Sequence, residues 1–212
     1  MLKLYHYWRS SASYRVRIAL AYKSIPVELF PVDLMTNGGE QYSTQFFAIN
    51  PQARVPFLVL ENGTVLTQSM AIIEWLEEAY PKPALMPKGV LSRLRVREIV
   101  DMIGCDIHPL NNTSPLNYLR ANFGANDRQV KEWYLHWIAR GFAVLEKLIS
   151  GNPFCFGDHV TMADVMIVPQ VANARRFGLD LACYPKIVAV DAALMQLPAF
   201  TSAHPDHYVP VT

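Results

Sequence analysis

The hydrophobic pattern of this chain changes period once, at the proline-rich stretch Tyr80-Pro-Lys-Pro-Ala-Leu-Met-Pro87. Before it, strand-like and helix-like segments alternate; beyond it only helical periodicity appears. That division predicts an α/β unit followed by an all-α unit, and 212 residues suffice to give each a core. The expected boundaries are 1–81 for the first domain, 82–89 for a linker and 90–212 for the helical domain. In the first part the pattern predicts a strand at Leu2–Tyr7, a helix at Ser13–Lys23 and a strand at Val27–Val32. A loop follows at Asp33–Gln41, broken at Gly38-Gly39, then a short helix at Tyr42–Ile49 ended by Asn50-Pro51. Val55–Leu60 and Val65-Leu66 flank Asn62-Gly63, the strongest short hairpin signal. Ser69–Ala79 is amphipathic, with Ile72, Ile73, Leu76 and Ala79 on one face. The order is βαβαββα. In the second part helices are expected at Val90–Ile107, Pro115–Phe123, Asp127–Ile149, Met162–Arg176 and Tyr184–Gln196. The tail after Phe200 reads as a polar terminus without order; His204 and His207 have a metal-compatible spacing but no third ligand nearby, so no metal site is expected.

Between the first strand and the first helix lies a serine cluster, Ser10, Ser11 and Ser13. A helix N-terminus presents unpaired N–H groups and the positive end of the helix dipole, so it favours an anion. A thioredoxin-like protein carries C-x-x-C at this place, its first cysteine ionised by the helix end. Here the spacing is kept with serines, so the site has no redox couple of its own, yet it can stabilise a thiolate brought by a ligand.

Composition excludes several partners. Half of the residues are apolar, but no run approaches the roughly 18–20 needed for a membrane span. A net charge of +1 argues against nucleic acid or an anionic membrane. The three cysteines, Cys105, Cys155 and Cys183, are widely spaced and form no metal or redox motif. With no leader pattern at the N-terminus, a reduced cytoplasmic protein is expected.

Other motifs carry two readings. Val55-Pro56 at a strand start reads as a cis bond that turns the Val55 backbone outward toward an extended peptide, although trans is the commoner state. Gln68-Ser69 before a helix is either an N-cap or a carboxylate site. Thr161 with Asp164 three residues on is a capping-box variant, which makes Asp164 a folding residue. Arg9 lies within reach of any anion at the serines. Arg175-Arg176 lies at the end of an apolar helix, and the two side chains diverge by about 100°. Arg175 is expected to point away from any ligand there and to tolerate replacement. His108-Pro-Leu-Asn-Asn112 interrupts a long helix with polar groups suited to ligand contact.

Taken together these segments resemble the zeta class of the glutathione transferase superfamily. That class has the pattern Ser-Ser-Cys-Ser-Trp-Arg-Val-Arg-Ile-Ala-Leu, and from Ser10 this chain reads Ser-Ser-Ala-Ser-Tyr-Arg-Val-Arg-Ile-Ala-Leu. Asn50-Pro51, Val55-Pro56, Gln68-Ser69, Thr161-Met-Ala-Asp164, Val168-Pro-Gln-Val-Ala-Asn-Ala-Arg-Arg-Phe177 and Cys105-Asp-Ile-His-Pro-Leu-Asn-Asn112 also match, the last as in bacterial members. The resemblance implies a thioredoxin-like first domain, an all-α second domain and a homodimer. It implies glutathione as cofactor, and a cis–trans isomerase of a small maleyl dicarboxylate. By resemblance, Ser10 is the hydroxyl donor to the glutathione sulfur, with Ser11 beside it. Gln41, Val55, Gln68, Ser69, His108 and Asn112 bind glutathione, while Arg9 and Arg176 receive substrate carboxylates. The chain departs from the pattern at Ala12, a cysteine elsewhere, and at Thr113-Ser114, where some bacterial members have arginine. The second departure weakens one substrate anchor and leaves the diacid open. A transferase that conjugates electrophiles would use the same activated thiol, and is told apart by net loss of glutathione. A non-catalytic interaction module is disfavoured by intact Ser10, Val55-Pro56 and Gln68-Ser69.

Overall fold

The computed structural model describes residues 1–210, which form two compact units. The first comprises Met1–Ala84 together with the C-terminal segment from Gln196; the second is Leu85–Met195.

In the first unit β1 (Leu2–His6) is followed by α1 (Ser11–Tyr22), β2 (Val27–Pro31), two 3₁₀ turns, α2 (Thr44–Ile49), β3 (Phe57–Val59), β4 (Val65–Thr67) and α3 (Ser69–Ala79). This is the expected βαβαββα order. The sheet runs β2-β1-β3-β4, with β1 parallel to β2 and antiparallel to β3, and β3 antiparallel to β4. Alternation along β1 buries Leu2, Leu4 and His6. Leu4, Leu58, Ile72, Ile73 and Leu76 are wholly buried, and Tyr5 stacks on both Phe30 and Phe57. Lys23, just past α1, is also buried. Its ammonium reaches Glu77 at 2.7 Å and the carbonyls of Tyr80 and Pro83 at 2.7 and 2.8 Å, which satisfies all three donors.

The tail departs from expectation. Pro198–Ser202 is a short helix, α9, and Pro205–Tyr208 a 3₁₀ turn. Both are anchored to the first unit, Tyr14 Oη donating to Phe200 O at 3.2 Å and Arg17 Nε to Ala203 O at 3.0 Å. Two donors from α1 supply the order that the tail's composition does not.

The second unit holds α4 (Val90–Asp101), α5 (Thr113–Phe123), α6 (Asp127–Leu148), α7 (Met162–Phe177) and α8 (Pro185–Leu194). α7 is its core, buried without a break from Met162 to Val171, and α4, α6 and α8 pack against it. The long helix expected to Ile107 is α-helical only to Asp101. Met102–Ile107 is a π-turn, and Pro109–Asn111 a 3₁₀ turn. Among the described residues no helix is long and apolar enough to cross a membrane.

Candidate active site

The chemistry converges on the N-terminus of α1. Ser10 is its N-cap, with extended backbone, and its Oγ accepts from Ser13 N–H at 3.2 Å. The oxygen is thus anchored, while the hydroxyl proton has no acceptor among the described residues and can be donated outward. No acidic residue lies in the first turn, so the positive helix end is not neutralised. Ser11 opens the helix and is buried. Ser13 is wholly buried, and its Oγ accepts from Tyr7 N–H at 3.4 Å, a contact internal to the fold. The helix begins earlier than its apolar period suggests because Ser10, not a later serine, takes the cap. Arg9 is exposed one residue before it, its guanidinium 5.5 Å from the Trp8 ring.

A second group lies on the loops around α2 and α3. The Val55-Pro56 bond is cis, and neither the N–H nor the C=O of Val55 has a hydrogen-bond partner among the described residues. Gln41 is buried with its Oε1 unpartnered. Gly39, at φ +99°, makes room for it, since a Cβ there would lie 2.3 Å from the Gln41 amide. Gln68 stands at φ 67°, a conformation costly for any side chain but glycine and typical of ligand-binding turns. Its Nε2 donates to Gln52 Oε1 at 2.9 Å. Ser69 is buried, its Oγ accepting from Arg15 Nη1 at 3.4 Å. Arg15 is itself buried, so a cation adds to the positive end of α3. Nothing in the sequence separates Arg15 from a solvated arginine on the same helix.

In the second unit the polar break is sharper than its sequence suggests. His108 N–H bonds Ile103 O at 2.9 Å, a five-residue spacing that closes the π-turn. Asn112 caps α5, its Oδ1 accepting from Thr113 N–H at 2.8 Å. Its neighbour Asn111, not singled out by sequence, is buried. Asn111 Nδ2 reaches Tyr134 O at 3.3 Å, and its Oδ1 is unpartnered. Arg176 is exposed, donates to Asn173 Oδ1 at 2.9 Å and lies over the Phe177 ring. Arg175 diverges as expected but is not idle: its Nη1 pairs with the buried carboxylate of Asp191 at 2.6 Å.

Two of the protein's own thiols, those of Cys155 and Cys105, are poor nucleophiles. Burial pushes the thiol of Cys155 well above its ordinary value, with Asp164 adding to it, and burial with Asp101 and Asp106 raises that of Cys105. Among the described residues no cluster of three metal-ligating side chains occurs. No cysteine lies in the first turn of α1, so a thiolate held there is one brought by a ligand.

A mixed four-stranded sheet with a hydroxyl-capped first helix and a cis-proline loop, followed by an all-helical unit, is the glutathione transferase architecture. The glutathione S-transferase N-terminal domain family matches residues 9–79 and the corresponding C-terminal domain family residues 125–205. The chain is 48% identical over 204 residues to a maleylacetoacetate isomerase of Pseudomonas aeruginosa, a match covering 96% of each. A holo structure of a maleylpyruvate isomerase, described as a bacterial zeta-class glutathione S-transferase, superposes with a TM-score of 0.93 at 46% identity, covering 99% of this chain and 100% of the other. A maleylacetoacetate isomerase of Anaeromyxobacter dehalogenans, with dicarboxyethyl glutathione and citrate bound in its active site, gives a TM-score of 0.85 at 41% identity, covering 97% and 91%. This chain belongs to the glutathione S-transferase family, in its zeta class.

Proposed function

We propose that the protein is a glutathione-dependent cis–trans isomerase that converts maleylacetoacetate to fumarylacetoacetate. The observation that carries the reading is Ser10, whose oxygen is anchored by Ser13 N–H and whose proton is left for a sulfur at the α1 terminus. The first unit fits glutathione. The unpaired backbone groups of Val55 complement its peptide, and the strained Gln68 with Ser69 at the α3 terminus suits its γ-glutamyl carboxylate. The orphaned Gln41 Oε1 accepts a donor from it. When bound, glutathione supplies a thiolate that adds reversibly to the maleyl double bond and so allows it to rotate.

This chain's residues create the conditions for that chemistry. A free thiol ionises near pH 8.5, and lowering that by about two units takes about 2.7 kcal/mol of preferential stabilisation. One charge-assisted hydrogen bond from Ser10 together with the positive end of α1 is of that order. Ser11 stands beside it; for His108 and Asn112 the role in binding glutathione is the one the class resemblance implies. By the same resemblance Arg9 and Arg176 are the residues for substrate carboxylates, and a cation so used offsets the negative charge that develops on the diacid. The dicarboxyethyl glutathione bound in the active site of the Anaeromyxobacter relative supports this reading. We propose further that the protein is a homodimer, with the exposed Val90, Leu91 and Leu94 of α4 in the interface. Sedimentation of Leu94→Glu, expected as monomer against a dimeric parent, tests it.

The activity test follows substrate and free thiol together. Maleylacetoacetate should isomerise without net loss of glutathione, and its rate against that of maleylpyruvate at limiting concentration decides which diacid is preferred. The variant Ser10→Ala should lose most of the rate and still bind glutathione. Thiol consumed in proportion to product, with maleylacetoacetate inert, would identify a conjugating transferase instead.

A further inference from the structure

Arg17 is almost wholly buried in the first unit, and each of its nitrogens is committed to a different part of the chain. Nη1 lies 3.2 Å from His6 Nδ1 on β1, Nη2 donates to Trp8 O at 3.1 Å, and Nε donates to Ala203 O at 3.0 Å. The ring of Tyr208 covers the guanidinium at 4.5 Å, and that of Tyr14 lies 5.5 Å away. Tyr208 is in turn held by its hydroxyl to Ser202 O at 3.1 Å. Among the described residues no carboxylate pairs with Arg17. A buried cation without a counter-ion is costly, and neutral side chains could tie a tail to a helix. What distinguishes this cation is the carbonyl it holds. Trp8 lies two residues before Ser10, and the turn between them is closed by Ser10 N–H on Tyr7 O at 3.1 Å.

We infer that Arg17 is a positioning residue: clamped by the C-terminal segment through Ala203 and Tyr208, it fixes the Trp8–Ser10 loop and sets the hydroxyl of Ser10 for the thiolate. The guanidinium is needed because its planar fork directs donors along three fixed lines, which the single ammonium of lysine cannot do. His6 serves the fork by remaining neutral. Burial first and Arg17 second hold its pKa down to about 4, so its Nδ1 accepts from the guanidinium.

The inference rests on the proposed function, and one experiment separates the two. In the full-length protein, Arg17→Met, Arg17→Lys and Tyr208→Leu are compared with the parent by titrating the ultraviolet absorbance of the thiolate in the glutathione complex. Glutathione affinity, kcat against pH and thermal midpoint are measured alongside. The parent thiol should titrate well below its free value. Arg17→Met should raise that midpoint by about one unit, a roughly threefold loss of kcat at neutral pH that approaches tenfold about a unit below the parent midpoint and is recovered in alkali. Arg17→Lys and Tyr208→Leu should shift it the same way by less, with glutathione affinity within a few-fold throughout. Folded variants with the parent's thiol midpoint and pH profile, their activity tracking thermal stability alone, would overturn the inference. So would full restoration by lysine. Should Arg17→Met fail to fold, the other two variants decide on the same reading. A parent whose bound thiol titrates like the free one defeats the proposed function itself, and this inference with it.

Discussion

Arg175 and Arg176 show how one residue of helix register separates stability from recognition. Arg175 pairs with a buried carboxylate on α8, Asp191, whereas Arg176 donates to Asn173 on its own helix and lies over Phe177. Replacing either by methionine keeps much of the bulk and removes the charge, but the consequences should differ. For Arg176→Met, loss of a charge-assisted bond worth about 1.5–3 kcal/mol should lower kcat/KM for the maleyl diacid by roughly 10- to 150-fold. Its denaturation midpoint should be unchanged. Arg175→Met weakens the solvation of a buried carboxylate; because the arginine is half exposed, the cost should be about 1–2 kcal/mol in urea denaturation, with kcat/KM for the folded enzyme preserved. A full-rate Arg176→Met beside a crippled but stable Arg175→Met would transfer the carboxylate contact to Arg175. The sequence separates the two only by their angle about the helix, and Asp191 lies too far along the chain for the pairing to be read.

At the scale of elements, legibility follows the range of the interactions that define each one. The start of α7 is legible because Thr161 and Asp164 are three residues apart, and the structure adds only a partner. The Asp164 carboxylate accepts from Thr161 N–H at 2.7 Å, Thr161 Oγ at 2.9 Å and Cys155 N–H at 2.9 Å. Asp164→Ala would leave buried donors unpaired and should cost about 2–5 kcal/mol in urea denaturation, while glutathione affinity of the folded fraction stays unchanged. A loss below about half a kcal/mol would mean that water replaces the carboxylate. The α3 bounds were equally plain, since Gln68 and Ser69 mark the turn locally. The π-turn was not. Over the six residues Met102–Ile107 a wider helix shifts the apolar stripe too little to be seen, and what accommodates it is Gly141 on α6, where a Cβ would meet Ile107 at 2.2 Å. Among candidate site residues, Ser10, Val55, Gln68 and Ser69 were legible because each sits at a turn with its own backbone signal. Asn111, Arg15 and Arg17 were not, because burial by distant segments gives them their roles.

At the scale of the whole molecule, the first unit is completed by the last part of the chain: the bond from Tyr14 to Phe200 O spans 186 residues. That closure makes the unit sensitive to acid through His6, buried among β1, Arg17 and Tyr208. Its pKa is lowered from 6.5 to about 4, by burial first and by Arg17 second. Between those values the unfolded chain binds a proton that the folded protein refuses, so stability rises with pH across this window. The contribution is complete above pH 6.5, is lost progressively as the pH falls, and levels off below about 4. A gap of this size corresponds to about 3 kcal/mol. Asp164, in the other unit, acts with the opposite sign, since burial raises its pKa and protonation then favours the folded state. The net acid slope of the parent is therefore a difference, and a variant is needed to isolate the histidine. His6→Gln retains an acceptor for Arg17 but cannot titrate. Urea midpoints between pH 7 and pH 4.5 should fall less steeply in His6→Gln than in the parent, the two curves converging toward acid. Parallel curves would show that His6 takes up its proton in the folded state as readily as in the unfolded chain, and that the C-terminal segment does not seal it from water.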